Sequence, residues 1–175
     1  MGGLPVSRES VHEELERVRM EFLRLIGESS PEGLRRRSDE TRWTNEQLLF
    51  HMLLGYLVVR TLLPLVRLFG RLPHGFSRGF AGVLNAMTRP FHVVNYLGGC
   101  AGALVVRGSR LEAQVNRTIA SLHRQLEGES TAALNRGMAF PPGWDPFFRD
   151  QMTLLDVYHY GTQHFDFHHR QLTLR

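Results

Sequence analysis

From Leu48 to Phe69 the chain reads LLFHMLLGYLVVRTLLPLVRLF, an almost unbroken apolar run. A run of that length either spans a bilayer or becomes the central helix of a bundle, covered by protein on most sides. Its interruptions choose between the two. His51, Arg60, Pro64 and Arg67 lie inside it, and an arginine near the middle of a span costs about 2.5–3.5 kcal/mol on insertion scales. The expectation is a buried core helix and no transmembrane span. Thr44 stands three residues before Gln47, the capping-box spacing, and Trp43 is placed to staple onto Leu48. Pro64 is expected to kink or end the helix.

Three further segments carry helical period. Val11, Leu15, Val18, Phe22, Leu25 and Ile26 recur at spacings of three, four and seven. They predict a helix from Ser10 to Ile26, with Ser10 and Glu13 as its capping box. Leu111, Val115, Ile119, Leu122 and Leu126 predict another over Arg110–Leu126, and a last helix is expected from Thr153 to Leu172, capped by Thr153 with Asp156. Pro31 to Thr41 reads as a polar connection with room for one helical turn. Between the second and third helices lies a long crossover rich in Gly and aromatic residues. A short amphipathic helix fits Arg78–Met87, and Val93–Val106 fits either a tightly packed helix or an extended lining segment. Gly137 to Asp150 reads as a loop. The fold class expected is all-α, an up-and-down four-helix bundle with a long crossover insertion, forming one domain over residues 1–175.

Basic charge comes from arginine alone, because lysine is absent, and the pI is near 10.0. Arginine forks suit carboxylate and phosphate groups, so an anionic small-molecule ligand fits. Nucleic acid is not expected as a partner: only Arg35-Arg36-Arg37 forms a run, and no nucleic-acid-binding motif accompanies it. The first thirty residues lack an apolar signal region, and the single cysteine, Cys100, excludes an internal disulfide and a cysteine-based zinc site. A cytoplasmic location is the expectation. The long apolar helix and the crossover offer surface for a homodimer.

Nine histidines are many for 175 residues, but their positions matter more than their number. Val157, Gly161, His164, His168 and Leu172 fall on one helical stripe, where a core-facing helix carries aliphatic side chains. His51 interrupts an apolar surface in the same way on the second helix. Each alone reads as a hydrogen-bonded core histidine. Together they form a possible ligand set, since unpaired buried imidazole nitrogens cost about 1–3 kcal/mol each and a metal ion removes most of that cost. Sequence pattern alone does not bring the two helices face to face.

The segment Arg42-Trp43-Thr44-Asn45-Glu46-Gln47-Leu48-Leu49-Phe50-His51-Met52 resembles the second-helix motif of the DinB-like superfamily. His164-Phe165-Asp166-Phe167-His168-His169-Arg170-Gln171-Leu172 is similar to that superfamily's closing motif, H-x-x-x-H-x-x-Q and an aliphatic residue, with Arg170 where many relatives have glycine. The resemblance implies a four-helix bundle whose divalent metal is held by His51, His164 and His168, with zinc first and nickel, iron or manganese as alternatives. It also implies a function, because similar members include thiol S-transferases that use bacillithiol or mycothiol. A metal-dependent transferase activating a low-molecular-weight thiol for a small-molecule substrate is therefore the leading expectation. A metal-dependent hydrolase or isomerase and a non-catalytic metal- or ligand-binding bundle are the alternatives.

Tyr160, Gln171 and Gln47 lie at helical spacing from the three histidines and are candidates to hold a bound water or orient a ligand. Asp166 is expected to be solvated, and His159 to pair with Asp156. His169 lies off the stripe. Cys100 reads as a small packing residue, with no base identified for a nucleophile. His92 and Asn95 are placed to line a pocket, and Trp144 and Phe147 read as a packed loop or a lid.

Overall fold

The computed structural model describes residues 6–174. Its frame is four long helices: α1 (Arg8–Glu28), α3 (Asn45–Phe69), α6 (Ser109–Glu127) and α8 (Leu154–His169). The short α2 (Pro31–Arg35) precedes α3, and α4 (His74–Ala86) with α5 (Thr88–Val105) makes the crossover. The single turn α7 (Thr131–Leu134) leads to β1 (Gly137–Ala139) and β2 (Gln151–Thr153). Contacts run α1 to α6, α6 to α3, α3 to α8 and α8 back to α1, closing a ring around one core. The chain is thus an all-α bundle, with one small antiparallel ribbon pairing Met138 with Met152.

Local signals account for most boundaries. Thr44 and Gln47 form the expected capping box on α3, and Thr153 and Asp156 do so on α8. On α1 the box lies one turn earlier than expected. Ser7 is the cap and exchanges hydrogen bonds with Ser10, because a second hydroxyl three residues on serves the role assigned to Glu13. Pro64 does not end α3, which continues to Phe69. Proline is exposed here, so the carbonyl it leaves unbonded lies on the solvent side of the helix.

By length and composition α3 is apolar enough to cross a membrane, with a mean hydropathy of 1.8 in its most apolar stretch. In the structure it packs against α5, α6 and α8, as a central bundle helix does.

The crossover is more regular than its glycines suggest. α4 starts at His74 rather than Arg78, and α5 resolves the open reading of Val93–Val106 as a helix. Two of α5's glycines, Gly99 and Gly102, are notches. A Cβ on Gly102 would fall inside the Phe50 ring of α3, and one on Gly99 would press Trp43 at 3.2 Å. Close approach to α3 outweighs the poor helix propensity of glycine, about 1 kcal/mol per residue.

Candidate metal centre

α3 and α8 pack side by side and bring the three stripe histidines together. His51 and His164 are buried and His168 is half-buried, and one ring nitrogen from each lies within 4.8 Å of the others. Ring centroids are 4.6–4.9 Å apart. The approach depends on small residues where the helices touch: a Cβ on Gly161 would stand 2.6 Å from the Tyr56 ring.

The histidines differ in what holds them. His168 Nδ1 donates to the amide oxygen of Gln171 at 2.7 Å, which frees Nε2 for a ligand. His164 Nδ1 lies 3.2 Å from Asp145 Oδ2, and its Nε2 is buried with no partner. His51 Nδ1 is likewise buried and unpartnered, under the indole of Trp43 stacked at 4.2 Å. Two orphaned nitrogens beside a third held in the correct tautomer fit a divalent ion, because each otherwise bears an uncompensated desolvation cost. Burial, and then its two neighbouring imidazoles, depress His51 well below the usual histidine range. Burial and His164 push His168 down to about 4, against the partial support of Gln171. Both are neutral at pH 7, the state a metal ligand requires.

Asp145 is the residue that sequence reasoning missed. It comes not from the histidine stripe but from the loop between β1 and β2, shorter than the expected Gly137–Asp150 loop because Gly137–Ala139 pairs with Gln151–Thr153 as a strand. Its Oδ1 accepts the Phe147 N–H at 2.9 Å, a local turn contact, which aims Oδ2 at His164 and at the Tyr160 hydroxyl 2.9 Å away. Burial works to raise this carboxyl, but hydrogen bonds from His164, Phe147 and Tyr160 outweigh it and keep it below the ordinary range. Burial and the Asp145 charge lift Tyr160 well above the usual phenol range, so it stays a donor. The only advance signal was an aspartate in a Pro-rich loop, which has many ordinary uses.

The other candidates sort clearly. Tyr160 and Gln171 each contact a site histidine, Tyr160 at 3.5 Å from His164 Nδ1. Gln47 is not brought to the site; its side chain caps α3 through the Thr44 N–H. Asp166 is not merely solvated, since it takes both arms of Arg17 at 2.8 and 3.0 Å. His159 pairs with Glu14 at 2.8 Å instead of Asp156, whose carboxylate serves the Thr153 cap and Arg149. His169 meets Glu21. These partners sit on α1, against which α8 packs. Trp144 is fixed as a packed residue, stacked on Phe91 at 4.0 Å and donating to the Leu84 carbonyl.

Two cavities adjoin the histidines. One, about 230 Å³, is lined by His51 and His164 with Leu54, Val58, Phe91 and Phe148, and Asp145 and Tyr160 at its polar edge. The other, about 420 Å³ and more open, is lined by His168 and Gln171 with Glu40, Arg42, His92 and Tyr96. Asn95 borders both. Glu40 sits at φ 56°, a left-handed conformation that few non-glycine residues adopt.

The model of the DinB superfamily matches residues 14–172. No curated protein and no solved structure matches the chain.

Proposed function

Because the chain belongs to the DinB superfamily, we propose that its histidine cluster is a divalent-metal centre serving a thiol S-transferase. The observation that carries this reading is the meeting, at one ligand set, of an apolar cavity and a second one bordered by the charged Glu40 and Arg42. His51, His164 and His168 would hold the ion, zinc first, with nickel, iron or manganese as alternatives. When bound, such an ion supplies Lewis acidity that lowers the pKa of an approaching thiol.

The chain's own residues do the rest. Gln171 and Asp145 fix the two α8 imidazoles by their Nδ1 atoms. Glu40 and Arg42 offer opposite charges to a low-molecular-weight thiol carrying amine or carboxylate groups. Leu54, Val58, Phe91 and Phe148 receive an apolar electrophile and exclude water. In the transfer, the carbon–sulfur bond forms as the bond to the leaving group breaks, and the thiol proton passes to solvent.

One observation favours a second reading, a metal-dependent hydrolase. Asp145 is held ionised at the edge of the apolar cavity, where a general base for water would stand. Its Oδ2 is already engaged by Tyr160 and His164, which supports transfer over hydrolysis.

The test is elemental analysis of the purified protein followed by a thiol screen with monochlorobimane. About one equivalent of metal and metal-dependent conjugation of one thiol are expected. A metal-loaded protein that conjugates none of the thiols would sink the transferase. A protein that takes up no metal after reconstitution would sink the centre itself.

A further inference from the structure

The crossover carries a surface that the metal centre does not use. Ten of the twelve strongly exposed large apolar side chains among the described residues lie between Leu68 and Val105. They are ordered. Along α4 and its flanks Leu72, Phe76, Gly79, Val83 and Met87 are exposed at spacings of 0, +4, +7, +11 and +15, and on α5 Pro90, Val94, Leu97, Ala101 and Leu104 follow at 0, +4, +7, +11 and +14. Each set is one outward helical stripe. The inward, buried residues are Ser77 and Ala81 on α4, and Gly99 and Ala103 on α5. Each helix is therefore apolar on the side the bundle leaves uncovered.

The charge around the stripes is one-sided. No Asp or Glu occurs from residue 47 to residue 111, whereas seven arginines do. Arg71, Arg78, Arg89 and Arg107 are exposed and in no ion pair among the described residues. They stand before, within, between and after the two stripes.

We propose that α4 and α5 form an interfacial surface that seats the protein on an anionic lipid bilayer, with the apolar stripes in the acyl boundary and the arginines among the headgroup phosphates. Hydrocarbon flanked by unneutralised cations is the composition such surfaces need. A second copy of the chain fits less well. Isologous pairing through this face would set arginine against arginine with no carboxylate in the segment to separate them. An acidic protein partner also fits less well, because the stripes present no hydrogen-bonding side chain by which to recognise one.

The experiment is co-sedimentation of the full-length protein, as purified, with vesicles of phosphatidylcholine alone and of phosphatidylcholine mixed with phosphatidylglycerol. Binding should be about tenfold or more tighter on the anionic vesicles and should weaken with added salt. The double substitution Leu97→Glu with Leu104→Glu should abolish it while leaving the melting curve and metal content unchanged. Arg89→Glu with Arg107→Glu should remove the preference for anionic lipid. The proposal is overturned if the wild-type protein sediments with neither vesicle, binds both equally, or keeps its binding in the leucine double variant. A dimer in sedimentation velocity that the leucine variant dissolves would give the face to a second copy and overturn it too.

Discussion

Gly55 on α3 lies directly against the His164 imidazole of α8, so closely that a Cβ at position 55 would stand 2.5 Å from Cδ2 and 3.1 Å from Nε2. The notch places His164, and any side chain there must displace the ring. Gly55→Ala should weaken metal binding about 10–100-fold, as lost ligand orientation does, and cost about 1–3 kcal/mol of stability through overpacking. Metal titration with a parallel melting curve measures both. Unchanged affinity would mean that His164 is not a ligand held by this contact.

Asp145 and Tyr160 support the same imidazole from the opposite ring nitrogen. Asp145→Asn keeps the shape and removes the charge, and is expected to lower metal affinity about 10–100-fold. Tyr160→Phe should cost less, because the hydroxyl acts mainly through Asp145. The order of the two losses is the check, and a larger effect for Tyr160→Phe would contradict it.

His168 is half-buried and reaches the cluster from the last turn of α8. His168→Ala should abolish stoichiometric metal by elemental analysis and leave the far-UV dichroism helical. Global loss of helix on removing either the histidine or the metal would assign the ion a structural role.

The metal-free protein should lose stability on acidification. Folded His168 titrates near 4 and His51 lies well below the usual range, whereas both approach 6.5 when unfolded. Between those values the unfolded chain binds more protons, so stability rises with pH in that window. It is fully present above about 6.5 and is lost as pH falls toward about 4, by on the order of 3 kcal/mol for His168. Melts of chelator-treated protein across this range test it; a flat profile would show that the imidazoles are not held neutral by burial.

Asn45, fully buried at the start of α3, ties the chain's end to the bundle. Its amide nitrogen donates to the Gly33 carbonyl at 2.8 Å and its oxygen accepts the Thr173 N–H at 3.0 Å. Asn45→Ala leaves the Thr173 N–H without its acceptor and the Gly33 carbonyl with the Arg36 N–H alone, and should cost about 1–3 kcal/mol. Hydrogen exchange should show the Thr173 amide unprotected in the variant, and a protected amide would refute the latch.

The four long helices, and the starts of α3 and α8, were legible because the forces that set them are local. A stripe of Leu and Val at spacings of three and four, with Thr44 or Thr153 three residues before a capping partner, needs only the chain's own neighbourhood. The histidine stripe on α8 was legible for the same reason, since a polar ring where an aliphatic one belongs stands out in one dimension. That His51 meets it was not. Only the packing of α3 on α8, with Gly55 and Gly161 as the points of closest approach, brings the imidazoles within 4.8 Å. Asp145 was hidden because a loop residue's direction depends on what the loop packs against, here Trp144 on Phe91 and the β1–β2 ribbon. The helical state of α5 was left open because helix propensity argues against glycine, and only Phe50 and Trp43 on the other side of Gly102 and Gly99 explain why glycine stands there. The linear pattern alone marks which side chains are out of place; which of them share one site is set by packing, because convergence depends on contacts between residues far apart along the chain.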